Sequence, residues 1–319
     1  MTAPAGLSPA SPFHRRLWAY LEERFPLGRQ GLLIVSYVSS NSFLAETLTA
    51  PTERMHYTLA SLAGAVTVLC LFFHLRVFDE HKDYADDCRH YPERILQRGL
   101  ITLRHLKLLG AAAIALELAL CAWRGPAVLC AWAAAFAFSL LMLREFLLGE
   151  WLRRRFLLYA TSHMLIMPLF ALVVYSFATR RYPWQAPGWF WLYAFVGFFV
   201  TFNWEISRKI RAPEDEREGV DSYSRIFGPY GAAYLVIAVR VIDTAMVSLV
   251  GWHLHLSPLF YIVLIVLFAV SLSGLVAFRR HPSRATAHRL ETYAGMYIIA
   301  FDLTLAIELV RQHGLAFGG

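Results

Sequence analysis

The sequence predicts an all-α fold, a polytopic membrane protein of about nine transmembrane helices. Three observations carry that prediction. Of the 319 residues, 57% are apolar, and the mean hydropathy is +0.46. Charged residues make up only 17%, against about 25% in ordinary soluble proteins. Several apolar runs approach the roughly 20 residues with which a helix crosses a bilayer. A helix is the expected spanning element because a backbone in lipid must satisfy its own hydrogen bonds.

The chain reads as a single domain, 1–319. Its first segment, 1–30, is expected to be a cytosolic or interfacial helix, since no short apolar core with a cleavage site begins the chain. Phe13, Leu17, Leu21 and Phe25 recur every four residues among Arg15, Arg16, Glu22 and Glu23. That pattern suits a helix lying on the membrane surface or one packed on the protein itself. Nine candidate spans follow, at about 31–49, 57–78, 106–123, 126–143, 157–178, 186–204, 230–250, 257–278 and 292–311. The first contains the polar stretch Ser36 to Ser42, which is expected to face a cavity or a neighbouring helix.

The net charge of +7 does not indicate a nucleic-acid partner, because the basic residues lie between apolar segments. With the N-terminus in the cytosol, 23 Lys and Arg residues fall on the cytosolic side, and only Arg54, Arg124, Arg180, Arg181 and Arg311 fall opposite. This asymmetry predicts a multi-pass protein of the cell (inner or plasma) membrane, with a cytosolic N-terminus and the C-terminus across the membrane. The four cysteines have no metal-finger spacing and read mainly as small core residues.

Two cytosolic connections are long, 79–105 and 205–229. Each follows an even-numbered span, opens with charged residues and continues through a Pro-containing stretch. Lying four spans apart, they suggest two similar four-helix units around one cytosolic-facing cavity, with a ninth helix added. These loops are the expected active-site segments.

The first reads RVFDEHKDYADDCRH from Arg76 to His90. If the preceding helix continues past the bilayer edge, Asp79, Asp83 and Asp87 stack on one face and repel one another. Hard carboxylate oxygens gathered this way suit Mg²⁺, which keeps waters and bridges carboxylates to phosphate oxygens. Arg76, Lys82 and Arg89 supply further positive charge. In the second loop, Glu205 lies four residues before Lys209, with Arg208 and Arg211 beside it and Glu214, Asp215 and Glu216 beyond. Cations beside a carboxylate suit a diphosphate, whose oxygens take Arg, Lys and metal contacts.

The stretch RVFDEHKDYADD resembles the first signature of the UbiA-type intramembrane prenyltransferases, Arg-x-x-Asn-Asp-x-x-Asp-x-x-x-Asp. Arg76 matches the Arg, Asp79 stands for Asn and Glu80 for Asp, and Asp83 and Asp87 match directly. The nine spans, with charged motifs after the second and sixth, are similar too. The resemblance implies a prenyl diphosphate bound through Mg²⁺, with Asp79, Glu80, Asp83, Asp87 and Glu205 as metal ligands. Arg76, Lys82, Arg89 and Arg211 would hold the diphosphate.

The second motif departs from the family's Asp-x-x-x-Asp, reading Glu205-x-x-x-Lys209. A second metal is therefore missing, displaced onto Glu214 to Glu216, or replaced by the Lys209 ammonium. Lys209 and Arg208 are on that account the expected catalytic cations. Tyr84, Tyr91, Tyr159, Tyr193 and Tyr223, near cytosolic helix ends or loops, are the candidates for stabilising the allylic cation, and Tyr84, Tyr223 and Asn41 those for lining the prenyl and acceptor cavity.

The function implied is transfer of a prenyl group to a second small-molecule or lipid acceptor within the bilayer. A terpene cyclase, a phosphoribosyl or lipid-phosphate transferase, and a transporter or membrane scaffold are the alternatives. Glu117, Asp243, Asp302 and Glu308 lie within apolar spans, where a carboxylate is costly; Arg240 is the natural partner of Asp243.

Overall fold

The computed structural model describes residues 7–50, 54–216 and 218–318. The first six residues of the expected N-terminal segment and Arg217 lie outside the described residues. Helix α1 (Phe13–Arg24) precedes α2 (Leu27–Thr49), and a short strand β1 (Met55–Tyr57) leads into α3 (Leu59–Lys82). The first long loop contains α4 (Tyr84–His90) and is followed by α5 (Leu103–Arg124) and α6 (Pro126–Leu143). A short α7 (Gly149–Arg153) leads to α8 (Phe156–Met164) and α9 (Ile166–Thr179). After α10 (Gly188–Arg208) and the second long loop come α11 (Tyr223–His253), α12 (Pro258–Arg280) and α13 (Arg284–His313), then strand β2 (Leu315–Phe317).

Local chemistry sets the ends of these helices. Thr58, Thr102 and Ser283 cap α3, α5 and α13, each accepting from the backbone N–H three residues on. Gly125, at φ 132°, makes the turn before Pro126 opens α6. Pro168 has no N–H to give the carbonyl of Met164, and its ring crowds that turn, so one span is broken at Leu165 into α8 and α9. Pro229, behind Gly228 at φ 69°, likewise kinks the start of α11.

Among the described residues, seven helical stretches are long and apolar enough to cross a membrane, α8 and α9 counting as one. Helices α2 and α10 match them in length, at 23 and 21 residues. Ser36, Ser40, Asn41 and Ser42 lower the hydropathy of the first, and Asn203, Glu205 and several aromatic residues that of the second. Consecutive spans pack as neighbours, and α13 returns to α2, closing a ring. Within it α2, α9, α10 and α13 touch across the middle. The core there is aromatic and aliphatic, with Phe170, Tyr175, Phe190 and Phe301 buried. Helices α5, α6 and α12 leave most of their surface facing outward.

Helix α1 packs on the protein. Ala19, Tyr20 and Phe25 are buried, and Ala19 and Tyr20 meet Val77, Ile95, Leu96 and Leu106, while Trp18 points outward. The charge pattern of the sequence did not require any strand. The structure nevertheless pairs β1 with β2 in parallel, Met55 opposite Leu315 and Tyr57 opposite Phe317. This pair lies on the face opposite the charged loops.

Candidate active site

The first charged helix end does not form the continuous acidic stripe that the spacing predicts. Helix α3 stops at Lys82, and Asp83 takes φ −96°, ψ 3° before α4 begins. Backbone bonds from Asp83 N to Asp79 O (2.9 Å) and from Asp87 N to Asp83 O (2.9 Å) keep the pitch, but the carboxylates separate. Asp79 meets Lys82 Nζ at 3.3 Å and Arg76 at 4.0 Å. Asp87 instead accepts from Arg94 at 2.7 Å, with Arg24 at 3.7 Å. Glu80 is fully buried beneath α1, where Arg24 Nε donates to it at 2.6 Å and Tyr20 Oη at 3.4 Å.

Asp83 makes no ion pair among the described residues and reaches water. The surrounding protein still withdraws enough hydration to push its carboxyl up to about 6; Lys82 opposes the rise, and Asp79, Asp87 and Glu145 add to it.

At the second helix end, Glu205 is buried and held by two cations. Arg208 Nε donates to it at 2.6 Å and Lys209 Nζ at 2.8 Å. The later acids are committed elsewhere. Asp215 accepts from Arg284 Nε at 2.9 Å, Glu214 from the Arg284 backbone at 3.0 Å, and Glu216 from Ser222 and Ser224. They tie the loop to the starts of α13 and α11.

Helix α8 joins the two ends. Lys82 Nζ donates to Tyr159 Oη at 3.1 Å, and Lys209 Nζ lies 5.4 Å from the Phe156 ring. Phe156 and Tyr159 are neighbouring positions on one turn, so the cations of both motifs flank the same short helix. Asp79 is within electrostatic reach of Arg208. The loops also meet, Arg211 reaching Tyr91 Oη at 3.4 Å. Buried donors stand here without an acceptor among the described residues: Arg76 Nε, Arg211 Nε and Tyr223 Oη.

The remaining expected residues are more dispersed. The Tyr223 ring lies edge-on to Phe156 at 4.7 Å, within electrostatic reach of Glu205 and Arg208. Tyr84 packs instead on the cluster beneath α1, and Arg89 is solvent-exposed against Asp86. Asn41 is buried in the bundle, its amide donating to Tyr37 O at 2.9 Å. Next to it, Ser40 and Tyr193 donate to Asp302 at 2.6 and 2.7 Å. Asp243 pairs with Arg240 at 3.0 Å, as the spacing suggested.

Sequence reasoning gave no role to the turn Glu145–Leu147, whose three residues all take positive φ (48°, 55° and 62°). Arg153 grips Glu145 through Nε at 3.0 and 3.1 Å, fixing it close enough to act on Asp83. The adjoining Phe146 lies edge-on to His163, which stacks on Tyr159 at 4.1 Å. No local signal announces a left-handed turn built from Glu, Phe and Leu.

Among the described residues, no three His, Cys, Asp or Glu side chains converge as a ready-made metal cage. Asp79 and Asp83 remain as hard, water-accessible donors. Two carboxylates suit a partly hydrated Mg²⁺ that also takes phosphate oxygens. Glu205, already neutralised by two fixed cations, does not suit a second ion.

The UbiA prenyltransferase family model matches residues 32–299, a stretch that includes both charged helix ends. The chain belongs to the UbiA prenyltransferase family. Solved structures of similar fold agree with this membership. A UbiA homologue from Aeropyrum pernix K1 in its apo form is 16% identical, with 88% of this chain and 97% of that one covered at a TM-score of 0.63. A digeranylgeranylglyceryl phosphate synthase is also 16% identical, covering 93% of this chain and 99% of its own at 0.60. A UbiA homologue from Archaeoglobus fulgidus, bound to GPP and Mg²⁺, is 15% identical, covering 90% and 99% at 0.55. No curated protein matches the chain. The family membership and the apolar helices make this an integral membrane protein.

Proposed function

We propose that the chain transfers a prenyl group from a prenyl diphosphate to an acceptor within the membrane, in an Mg²⁺-assisted reaction. The observation that carries this reading is the shared flank of α8, with Lys82 at Tyr159 and Lys209 at Phe156. It gathers the acids of one motif and the cations of the other around one short helix. The Archaeoglobus relative, bound to GPP and Mg²⁺, supports the substrate class.

Asp79 and Asp83 would hold Mg²⁺, which when bound neutralises the pyrophosphate as the allylic C–O bond breaks and its electron pair leaves with oxygen. The chain's own cations share that task. Lys82, Arg76 and Arg211 border the first helix end, and Arg208 and Lys209 the second. Glu205 fixes the latter two in place, and the Lys209 ammonium takes the part of a second metal. The faces of Tyr159 and Phe156 lie where the allylic cation would form, offering π stabilisation while the lipid-embedded bundle keeps water away. In this reading both charged loops and the N-terminus are cytosolic, and the C-terminus lies across the membrane.

The test is pyrophosphate release from a panel of labelled prenyl diphosphates by the reconstituted protein with and without Mg²⁺, with extraction of the products. Mg²⁺-dependent release with label moving to a lipid or small-molecule acceptor is expected. Label recovered as a cyclised hydrocarbon would redirect the reading to a cyclase, and no release from any donor would overturn it.

A further inference from the structure

On the face opposite the charged loops, a cavity of about 320 Å³ opens between the ends of α2, α3, α5 and α9. That face carries just five Lys or Arg residues, and three of them, Arg54, Arg124 and Arg181, line this one cavity. They come from three separate connections: Arg54 before β1, Arg124 at the end of α5, and Arg181 after α9. Of the other two, Arg311 is neutralised by Glu308 at 3.0 Å, and Arg180 adjoins the group closely enough for its charge to be felt at Arg124.

None of the ion pairs among the described residues involves Arg54, Arg124 or Arg181. Among those residues Glu46 is the one carboxylate in the lining, and its Oε2 already accepts from the His56 backbone at 2.9 Å. The cavity therefore carries an excess of positive charge on the side of the membrane where such charge is scarce. Arg124 is held in orientation by donating Nε to Phe177 O at 2.8 Å, which leaves its two terminal nitrogens for another acceptor.

Depth and shape narrow the ligand. The first turn of α3 lines the cavity through Thr58, Ala60 and Ser61, so the positive end of that helix adds to the arginines. Val38, Val174 and Phe177 make an apolar inner wall. Trp123 and Trp184, beside Arg124 and Arg181 in the chain, are exposed, as is usual for aromatic residues at headgroup level. The volume is at the small end of ligand pockets, about 300–1,000 Å³. Planar guanidinium forks favour oxyanions that accept two parallel hydrogen bonds.

We infer that this far-face cavity is a second binding site, separate from the active site, that takes a phosphate group at headgroup depth through Arg54, Arg124 and Arg181. The strand pair holds it together: β2 clamps β1, the strand that follows Arg54 and carries His56.

The phosphate could belong to an anionic lipid or to a soluble ion, and two measurements on the purified full chain separate these. Native mass spectrometry counts phosphatidylglycerol retained in competition with an equal amount of phosphatidylcholine. Thermal melting at matched ionic strength reads the response to inorganic phosphate against chloride. R54Q/R181Q is compared with wild type, and R280Q, an exposed arginine on the other face, is the charge-matched control. Preferential phosphatidylglycerol retention by wild type and R280Q, weakened at least tenfold in R54Q/R181Q, is expected for a lipid headgroup. A melting shift with inorganic phosphate alone, lost in the same variant, assigns a soluble phosphate. Equal retention by variant and wild type with no phosphate-specific shift overturns the site. If R54Q/R181Q fails to fold, R54Q alone decides by the same readings, since Arg54 is exposed and its side chain makes no hydrogen bond among the described residues.

Discussion

Glu80 is the sharpest point at which motif and geometry diverge. Its position in the signature makes it a metal ligand; its side chain makes it the anchor of α1. Consider Glu80→Gln. The carboxylate is 1% exposed, with Arg24 Nε at 2.6 Å. Burial works against the Arg24 charge, yet Glu80 beside it outweighs that and holds the guanidinium above its ordinary value. Removing one partner of a fully buried pair costs about 3–5 kcal/mol. Arg24 is 20% exposed and keeps Asp87 at 3.7 Å, so a cost of about 2 kcal/mol remains after that relief. The expected result is a melting temperature several degrees lower and faster tryptic cleavage at Arg15, Arg16 and Arg24, with an unchanged Mg²⁺ requirement for pyrophosphate release. A double-mutant cycle with R24Q should show coupling of about 1–3 kcal/mol. A variant as stable and protease-resistant as wild type, but needing far more Mg²⁺, would refute this reasoning and return Glu80 to the metal.

Other substitutions probe the remaining parts. D79N and D83N should each lower turnover at least a hundredfold at saturating prenyl diphosphate while keeping the wild-type size-exclusion profile; near-normal turnover in both would reject the donor pair. K209M should raise the KM for prenyl diphosphate at least tenfold, with K209R recovering part of the loss, as judged by steady-state kinetics. With its carboxyl pushed up to about 6, Asp83 binds a proton that competes with Mg²⁺. Calorimetry should therefore show metal affinity falling as pH drops through 6, by up to about tenfold per unit. The sign for stability is opposite: the folded chain holds that proton more tightly than the unfolded one, so this group favours the metal-free fold more at pH 4 than at pH 7. Leu147 is 77% exposed at φ 62°; L147G should raise the melting temperature, since relief of left-handed strain, about 1–2 kcal/mol, exceeds the entropy cost of glycine.

The fold was largely legible because membrane crossing is written in long-range averages. Each of the nine expected stretches is helical, and among the described residues seven helical stretches are long and apolar enough to cross a membrane, as a backbone that must satisfy itself in lipid requires. Pro168 could have foretold the break between α8 and α9, had its missing N–H been weighed against the apolar run. The site was legible at the level of charge type and less so at the level of pairing. Spacing alone puts Asp79, Asp83 and Asp87 on one stripe. It cannot report that Arg24, 56 residues before Glu80 in sequence, and Arg94 draw two of the acids aside. The same limit hid Phe156, and hid the Lys82 contact that singles out Tyr159 among the candidate tyrosines, because these partners come from α3 and α10. Glu145 lies in a turn whose left-handed backbone follows from no residue preference, and Arg153, which grips it, comes from α7.

Closure of the ring by α13 against α2 has a bearing on biogenesis. One member of the polar stripe of α2 reaches its tertiary partner only when α13 is made: Ser40 hydrogen-bonds Asp302, and β1 waits for β2. A ribosome must therefore release nearly the whole chain before its earliest span gains a permanent neighbour there. Until then the stripe rests on its own helix, Ser36 donating to Leu33 O at 2.8 Å and Ser40 to Tyr37 O at 3.0 Å.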